Sequence, residues 1–106
     1  MPNYLLAYHG GGMPQSEEEA KKVMAAWEKW MQTNGPAIVD GGNPVGRAVT
    51  IATSGGVSEG AGANPVSGYS IIKADNMDAA VAIAKGCPIL GEGNGSIELC
   101  ETFNAM

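Results

Sequence analysis

A chain of 106 residues with 44% hydrophobic and 16% charged residues has the composition of one globular domain, and its apolar runs are far shorter than the ~20 residues of a membrane span. The formal net charge is −5 and the Lys and Arg residues are scattered, which excludes a basic surface for nucleic acid. We therefore expect a single soluble domain over residues 1–106 that binds neither nucleic acid nor membrane. The N-terminal sequence does not resemble a signal peptide, so we expect a cytoplasmic location.

The first half of the chain predicts a strand followed by an amphipathic helix. Residues 3–8 are almost continuously apolar, which is typical of a strand covered on both faces. Ser16 and Glu19 form a capping box at the start of the helix, and the Asn-Gly-Pro sequence at 34–36 ends it. The apolar residues between them recur at three- and four-residue steps and predict a core-facing stripe of Ala20, Val23, Met24, Trp27 and Met31, with Trp30 on its flank.

The second half predicts further strands and one more helix, which complete a mixed fold. Asn76 is a cap for the second helix, and residues 54–64 form either a loop or a weak hairpin around Val57. The predicted strands are at 37–39, 47–52, 68–74 and 96–103. The resulting order is β-α-β-β-β-α-β, an α+β fold of the ferredoxin-like type, in which right-handed crossovers place both helices on one face of the sheet.

The first strand suggests how the other face of that sheet is covered. Successive side chains of a strand point to opposite faces, so Leu5 and Ala7 oppose the set formed by Tyr4, Leu6 and Tyr8. Two helices on one face can cover only one of these sets. Because an exposed apolar face is seldom tolerated, the pattern predicts that the chain forms a homodimer.

Three segments resemble the YCII-related family, also called the DGPF family. They are YLLAYHG at 4–10, SGYSIIKADNMDAAVAIAKGCPIL at 67–90 and GSIELCETF at 95–103. The resemblance implies a dimeric α/β barrel, in which two ferredoxin-like sheets pack face to face. The sequence has Glu59-Gly60-Ala61-Gly62 where the family has Asp-Gly-Pro-Phe, and its first helix lacks the histidine of the short members, so the site proposed for the family is not carried over.

His9 and Asp40 are the candidate catalytic residues. His9 is the only histidine, and its imidazole titrates near neutral pH, as a general acid or base requires. Each residue ends a predicted strand, and if these strands are parallel and close, their ends share one edge of the sheet. The alternative is that His9 bonds a loop carbonyl while Asp40 caps the Gly41-Gly42 turn.

Trp27, Trp30 and Arg47 are the candidate ligand-binding residues. The indole rings of Trp27 and Trp30 would form part of an apolar pocket wall, although aromatic residues at helical spacing are more often part of a core. Arg47 would suit a carboxylate ligand, and its alternative is an ordinary surface charge.

Neither a metal nor a cofactor is expected. One histidine and the distant Cys87 and Cys100 do not match a zinc pattern. The Gly10-Gly11-Gly12 sequence lacks the remaining residues of a phosphate-binding loop. Two functions stay open: an enzyme that acts on a small organic molecule through a His9 and Asp40 acid-base pair, and a non-catalytic module that binds a small ligand or another protein.

Overall fold

The fold is described by a computed structural model over residues 1–11, 15–91 and 93–104. It is a mixed α+β fold, as the sequence predicts at this level; its sheets are antiparallel and it is not a closed barrel. The elements in chain order are β1 (Asn3–His9), α1 (Glu17–Thr33), β2 (Ile38–Asp40), β3 (Val49–Ile51), β4 (Val57–Glu59), β5 (Val66–Lys73), α2 (Met77–Ala84) and β6 (Ser96–Glu101), with 3-10 turns at Gly35–Ala37 and Pro88–Gly91. No helix in the described ranges is long and apolar enough to span a bilayer.

Four strands form the main sheet in the order β2-β5-β1-β6, with every neighbouring pair antiparallel. In the centre, Leu6 of β1 pairs with Ser70 of β5 and with Leu99 of β6. Leu6 is fully buried and lies on the same face as Tyr4 and Tyr8, because these residues alternate along the strand. The helices pack on this face, where they complete a core of Tyr4, Leu6, Tyr8, Trp30, Ile72, Ala74, Ala80, Ala84, Cys87 and Ile89.

The helices begin where their caps predict, and the buried stripe of α1 is the predicted one shifted toward Trp30, with Ala20, Val23, Trp27 and Met31 half-buried. Ser16 Oγ accepts a hydrogen bond from Glu19 N at 3.0 Å, and Asn76 Oδ1 accepts one from Ala79 N at 2.9 Å. The fully buried residue of α1 is Trp30, whose Nε1 donates to Ile83 O of α2 at 3.1 Å. Met24 was expected in the core stripe and is instead 63% exposed, because the contact with α2 turns the Trp30 side of the helix toward the core.

The predicted third strand is not part of the main sheet, so the single-sheet β-α-β-β-β-α-β order is wrong at this point. β3 pairs only with β4, in a separate two-stranded sheet with Ile51 opposite Val57. All six residues of these two strands are exposed. Alternating residues identify a strand but not its partner, and here the glycine-rich turn favours the local pairing. We call residues 45–65 the hairpin arm.

The other face of the main sheet is only partly covered. Leu5 and Ala7 of β1 and Tyr69 and Ile71 of β5 share this face, since Leu5 pairs with Ile71 and Ala7 with Tyr69. All four are half-buried, in contrast to the buried residues on the helix side. Within the described residues the core helices lie on the opposite side. We call this surface the open sheet face.

Candidate functional site

A pocket of about 740 Å³ lies between α1, the end of β1, the turn after β2 and the start of β5. This volume falls within the ~300–1,000 Å³ that is typical of small-molecule sites. Its walls are mainly apolar side chains and glycine backbone, with the largest side chains supplied by Tyr8, Met24, Trp27 and Met31. Met24 is exposed because it borders this open volume rather than the core.

A chain of hydrogen bonds runs from the pocket into the main sheet. The Tyr8 hydroxyl donates to Ser70 Oγ at 2.7 Å, and Ser70 Oγ donates to the carbonyl oxygen of Gly41 at 2.8 Å. Burial raises the pKa of the Tyr8 phenol well above its usual value, and the hydrogen bond with Ser70 acts in the opposite direction. The Tyr8 side chain is therefore a fixed, neutral hydroxyl whose ring forms part of the wall.

The two tryptophans occupy different positions. The Trp27 ring lines the pocket and meets the Tyr8 ring edge to face, with centroids 5.4 Å apart and planes at 68°. The Trp30 ring lies 5.9 Å from that of Trp27, belongs to the core and borders a smaller groove of about 470 Å³ near α2. Of the two predicted pocket residues, Trp27 lines the main pocket, whereas Trp30 supports it from the core.

The turn after β2 forms the opposite wall. Asp40 Oδ1 accepts a hydrogen bond from Gly42 N at 2.8 Å and closes the turn. Gly42 has φ +74°, and a Cβ at this position would overlap the carbonyl oxygen of Tyr69. Only glycine lets this turn approach β5 so closely. An added Cβ at Gly41 would lie 3.2 Å from Met31 Cε, so this turn is also packed against α1.

Three polar residues among those that line the pocket, Glu28, Asn43 and Ser67, give it its chemical character. Ser67 lines it, and Ser67 Oγ is buried without a hydrogen-bond partner among the described residues. Such a group retains an unmet capacity to donate and accept. Glu28 is the single charged side chain among the described lining residues. The site is thus largely apolar, with the Asn43 residue, one negative charge and one buried, unsatisfied hydroxyl.

His9 and Asp40, both in the described part of the chain, are not brought together. β1 and β2 run in the same direction, but β5 lies between them, and His9 pairs at Val66 whereas Asp40 pairs at Ile71. Five residues along a strand correspond to roughly 16 Å. The His9 ring instead has Nδ1 3.0 Å from Pro65 O and Nε2 3.0 Å from Glu98 Oε1. The contacts observed for His9 and Asp40 are those of the alternative interpretation, a loop carbonyl and a turn cap, and a catalytic role stays a prediction.

Arg47 lies on the hairpin arm rather than with the tryptophans. Its Nη2 is 2.6 Å from Glu59 Oε1, and both side chains are largely exposed. Surface pairs of this kind contribute about 0–1 kcal/mol. The arrangement is that of a cross-strand ion pair within the arm.

The sequence interpretation missed Tyr8, Ser67 and Ser70 as site residues. A signal for Ser70 was present in the sequence, because it is a polar residue on the buried side of a strand and a buried polar group needs a hydrogen-bond partner. Ser67 offered no comparable signal. No cluster of three or more metal-ligating side chains occurs among the residues described, which do not include Gly12 of the glycine triplet.

A scan against protein-family models and a search of curated proteins each found no match for this sequence.

Proposed function

We propose that the protein binds a small, largely apolar molecule in the pocket beside α1, without catalysing a reaction on it. The observation that carries this proposal is Met24, a large apolar side chain that is 63% exposed and borders a cavity of about 740 Å³. Trp27 and Met31 extend the same wall. Exposed apolar surface gathered in a concavity is typical of a binding site.

The ligand class follows from the lining. A flat apolar molecule fits beside the rings of Tyr8 and Trp27, whose edge-to-face contact holds them in place. Glu28 and the net charge of −5 disfavour an anion, so the ligand is neutral or cationic. The unmet Ser67 hydroxyl would suit a ligand with one hydrogen-bonding group if the wall around this buried atom moves to expose it.

We prefer a non-catalytic binding protein over an enzyme because His9 and Asp40, the expected acid-base pair, lie apart. His9 contacts Glu98 and Pro65, away from Asp40. His9 is also absent from the residues that line the pocket. A general base must lie within hydrogen-bond reach of the proton that it removes.

The proposal includes a ferredoxin-like fold and a homodimer in the cytoplasm. Support for the fold comes from connectivity: α1 links β1 to β2 across β5, and α2 links β5 to β6 across β1. Support for the dimer comes from the open sheet face, where Leu5, Ala7 and Ile71 remain half-buried. A dimeric α/β barrel of the YCII-related type would cover this face with a second copy.

Dye binding tests the ligand proposal. We expect the neutral dye Nile red to bind at micromolar concentration and to change the emission of Trp27, whereas the anionic dye anilinonaphthalene sulfonate binds more weakly. Met24→Glu places a second carboxylate in the wall and should weaken Nile red binding about tenfold, or about 1.4 kcal/mol.

Met77→Glu is the matched control, because Met77 is 40% exposed on α2 and does not line the pocket. Its Nile red affinity should equal that of the wild type. Equal weakening by both substitutions, or no saturable binding by the wild type, would contradict the pocket as a binding site.

A further inference from the structure

The hairpin arm carries apolar surface that the chain itself does not cover. Three of the large hydrophobic residues with high exposure belong to its two strands: Val49, Ile51 and Val57. Ile51 is 68% exposed and Val57 is 65% exposed. Soluble proteins tolerate single exposed apolar residues, but not usually a group of them on one small element.

These residues are sorted onto one face of the arm. Ile51 pairs with Val57 and Val49 with Glu59, so the three apolar side chains share a face, with the Glu59 carboxylate at one end of it. Thr50 and Ser58 pair with each other on the opposite face. The arm is therefore amphipathic, with an apolar face that has nothing beneath it within the described chain.

Local bonds shape the arm but do not explain its stability. Thr50 Oγ1 donates to Gly60 O at 2.7 Å, and Ala52 N donates to Gly56 O at 2.8 Å. The exposed pair of Arg47 with Glu59 spans the strands. A two-stranded hairpin without a surface to pack on is marginally stable at best in water. A partner surface is needed.

The chain is flatter and more extended than a compact domain of its length. The chain measures 44 × 41 × 18 Å, with a radius of gyration of 15.2 Å. A compact chain of about 100 residues has a radius of gyration of about 13 Å. Ten residues of extended strand reach roughly 30 Å. The arm is long enough to contact a neighbouring molecule of this size.

We propose that the partner is a second copy of this chain, and that the apolar face of each arm packs on the other copy beside its open sheet face. This inference rests on the proposed homodimer. Four strands of about six residues cover roughly 400 Å², whereas each partner in a stable complex typically buries about 800 Å². The sheet face alone is small for this purpose, and the arm adds apolar surface to the same interface. Every copy carries both surfaces, so a symmetric dimer satisfies both at once.

Charge substitutions on the two faces of the arm test this inference. The double variant Ile51→Lys with Val57→Lys should raise the dimer dissociation constant at least about 100-fold in light scattering after gel filtration, because two central apolar contacts are lost. The matched control, Thr50→Lys with Ser58→Lys, adds the same charge to the polar face and should leave the constant within about threefold. The amide spectra of the core should be unchanged in both variants.

Hydrogen exchange gives a second readout that needs no substitution. Amides at 49–51 and 57–59 should become protected as the wild-type concentration rises through the dimer dissociation constant. Protection with this dependence, together with loss of the dimer in the apolar-face variant alone, supports the arm contact.

The outcomes separate the arm from the dimer. If the apolar-face variant has the wild-type dissociation constant, but Ala7→Lys on the open sheet face abolishes the dimer, the arm contact is overturned and the dimer is retained. A wild type that is monomeric up to millimolar concentration, with unprotected arm amides, overturns both and leaves the arm to a different partner.

Discussion

The Tyr8 hydroxyl lies 2.7 Å from Ser70 Oγ, although the two residues are 62 positions apart in the sequence. Tyr8 is directly opposite Gly68 in the sheet, and an added Cβ at Gly68 would lie 3.3 Å from Tyr8 Cδ2. The glycine leaves room for the ring to lie across β5 and reach Ser70, two residues further along. This contact joins the pocket wall to the core and, through Gly41, to the turn after β2.

Tyr8→Phe should lower the free energy of unfolding by about 1–2 kcal/mol. The substitution keeps the ring but removes the hydroxyl that donates a hydrogen bond to the buried Ser70 Oγ. Urea denaturation followed by circular dichroism measures this difference. Tyr69→Phe is the control, since Tyr69 is half-buried on the opposite face of β5. An equal decrease in the free energy of unfolding in both variants would show that the hydrogen bond between Tyr8 and Ser70 does not stabilise the fold.

Stability should fall at high pH through Tyr8. Burial raises the pKa of this phenol in the folded state above the value of about 10 in the unfolded chain. The folded state then holds the proton more tightly, so this contribution is complete below pH 10 and is lost as the pH rises above 10. The difference in unfolding free energy between wild type and Tyr8→Phe, measured from pH 8 to 11, isolates the effect. A difference that does not shrink above pH 10 would contradict it.

The elements that the sequence predicts well depend on neighbours in the chain. The caps Ser16 and Asn76 act within three residues, and strand alternation identifies the buried side of β1. Which strands pair is a non-local property. Alternation predicts a strand at 47–52 but carries no information about its partner. In the structure that partner is β4 and not a strand of the main sheet.

The predicted His9 and Asp40 contact fails for the same reason. Both residues end strands that run in the same direction, as expected, but their separation depends on the register of each strand against β5. That register cannot be derived from either strand alone. The sequence does predict a pocket with Trp27 in its wall, but it does not indicate the close approach of Gly42 to Tyr69 that forms the opposite wall.

Gly42→Ala should lower the free energy of unfolding by at least about 2 kcal/mol, since the residue has φ +74° and its Cβ would overlap the Tyr69 carbonyl oxygen. Gly35→Ala is the control, because an added Cβ there has open space. It should change stability by no more than about 0.5 kcal/mol. Thermal and urea unfolding of both variants measure the contrast. A Gly42→Ala protein as stable as the control would mean that the turn does not press on β5 as described.

Ser67→Ala and Ser70→Ala should change stability in opposite directions, although both remove one hydroxyl from β5. Ser67 Oγ is buried without a partner in the described structure, so the folded state bears the cost of desolvating it. Ser70 Oγ accepts from Tyr8 and donates to Gly41, so its removal leaves a buried donor and a buried acceptor unsatisfied. We expect Ser67→Ala to raise the free energy of unfolding by about 1 kcal/mol and Ser70→Ala to lower it by about 2 kcal/mol.

The same pair of variants also tests the role of Ser67 in binding. If its hydroxyl bonds to the ligand, Ser67→Ala should weaken the binding of Nile red, which carries a carbonyl acceptor, about fivefold, or about 1 kcal/mol, while the folded protein becomes more stable. A gain in stability combined with a loss of affinity distinguishes a ligand-binding group from a structural one. If Ser67→Ala destabilises the protein as much as Ser70→Ala, then the Ser67 hydroxyl has a partner in the folded chain and is not available to a ligand.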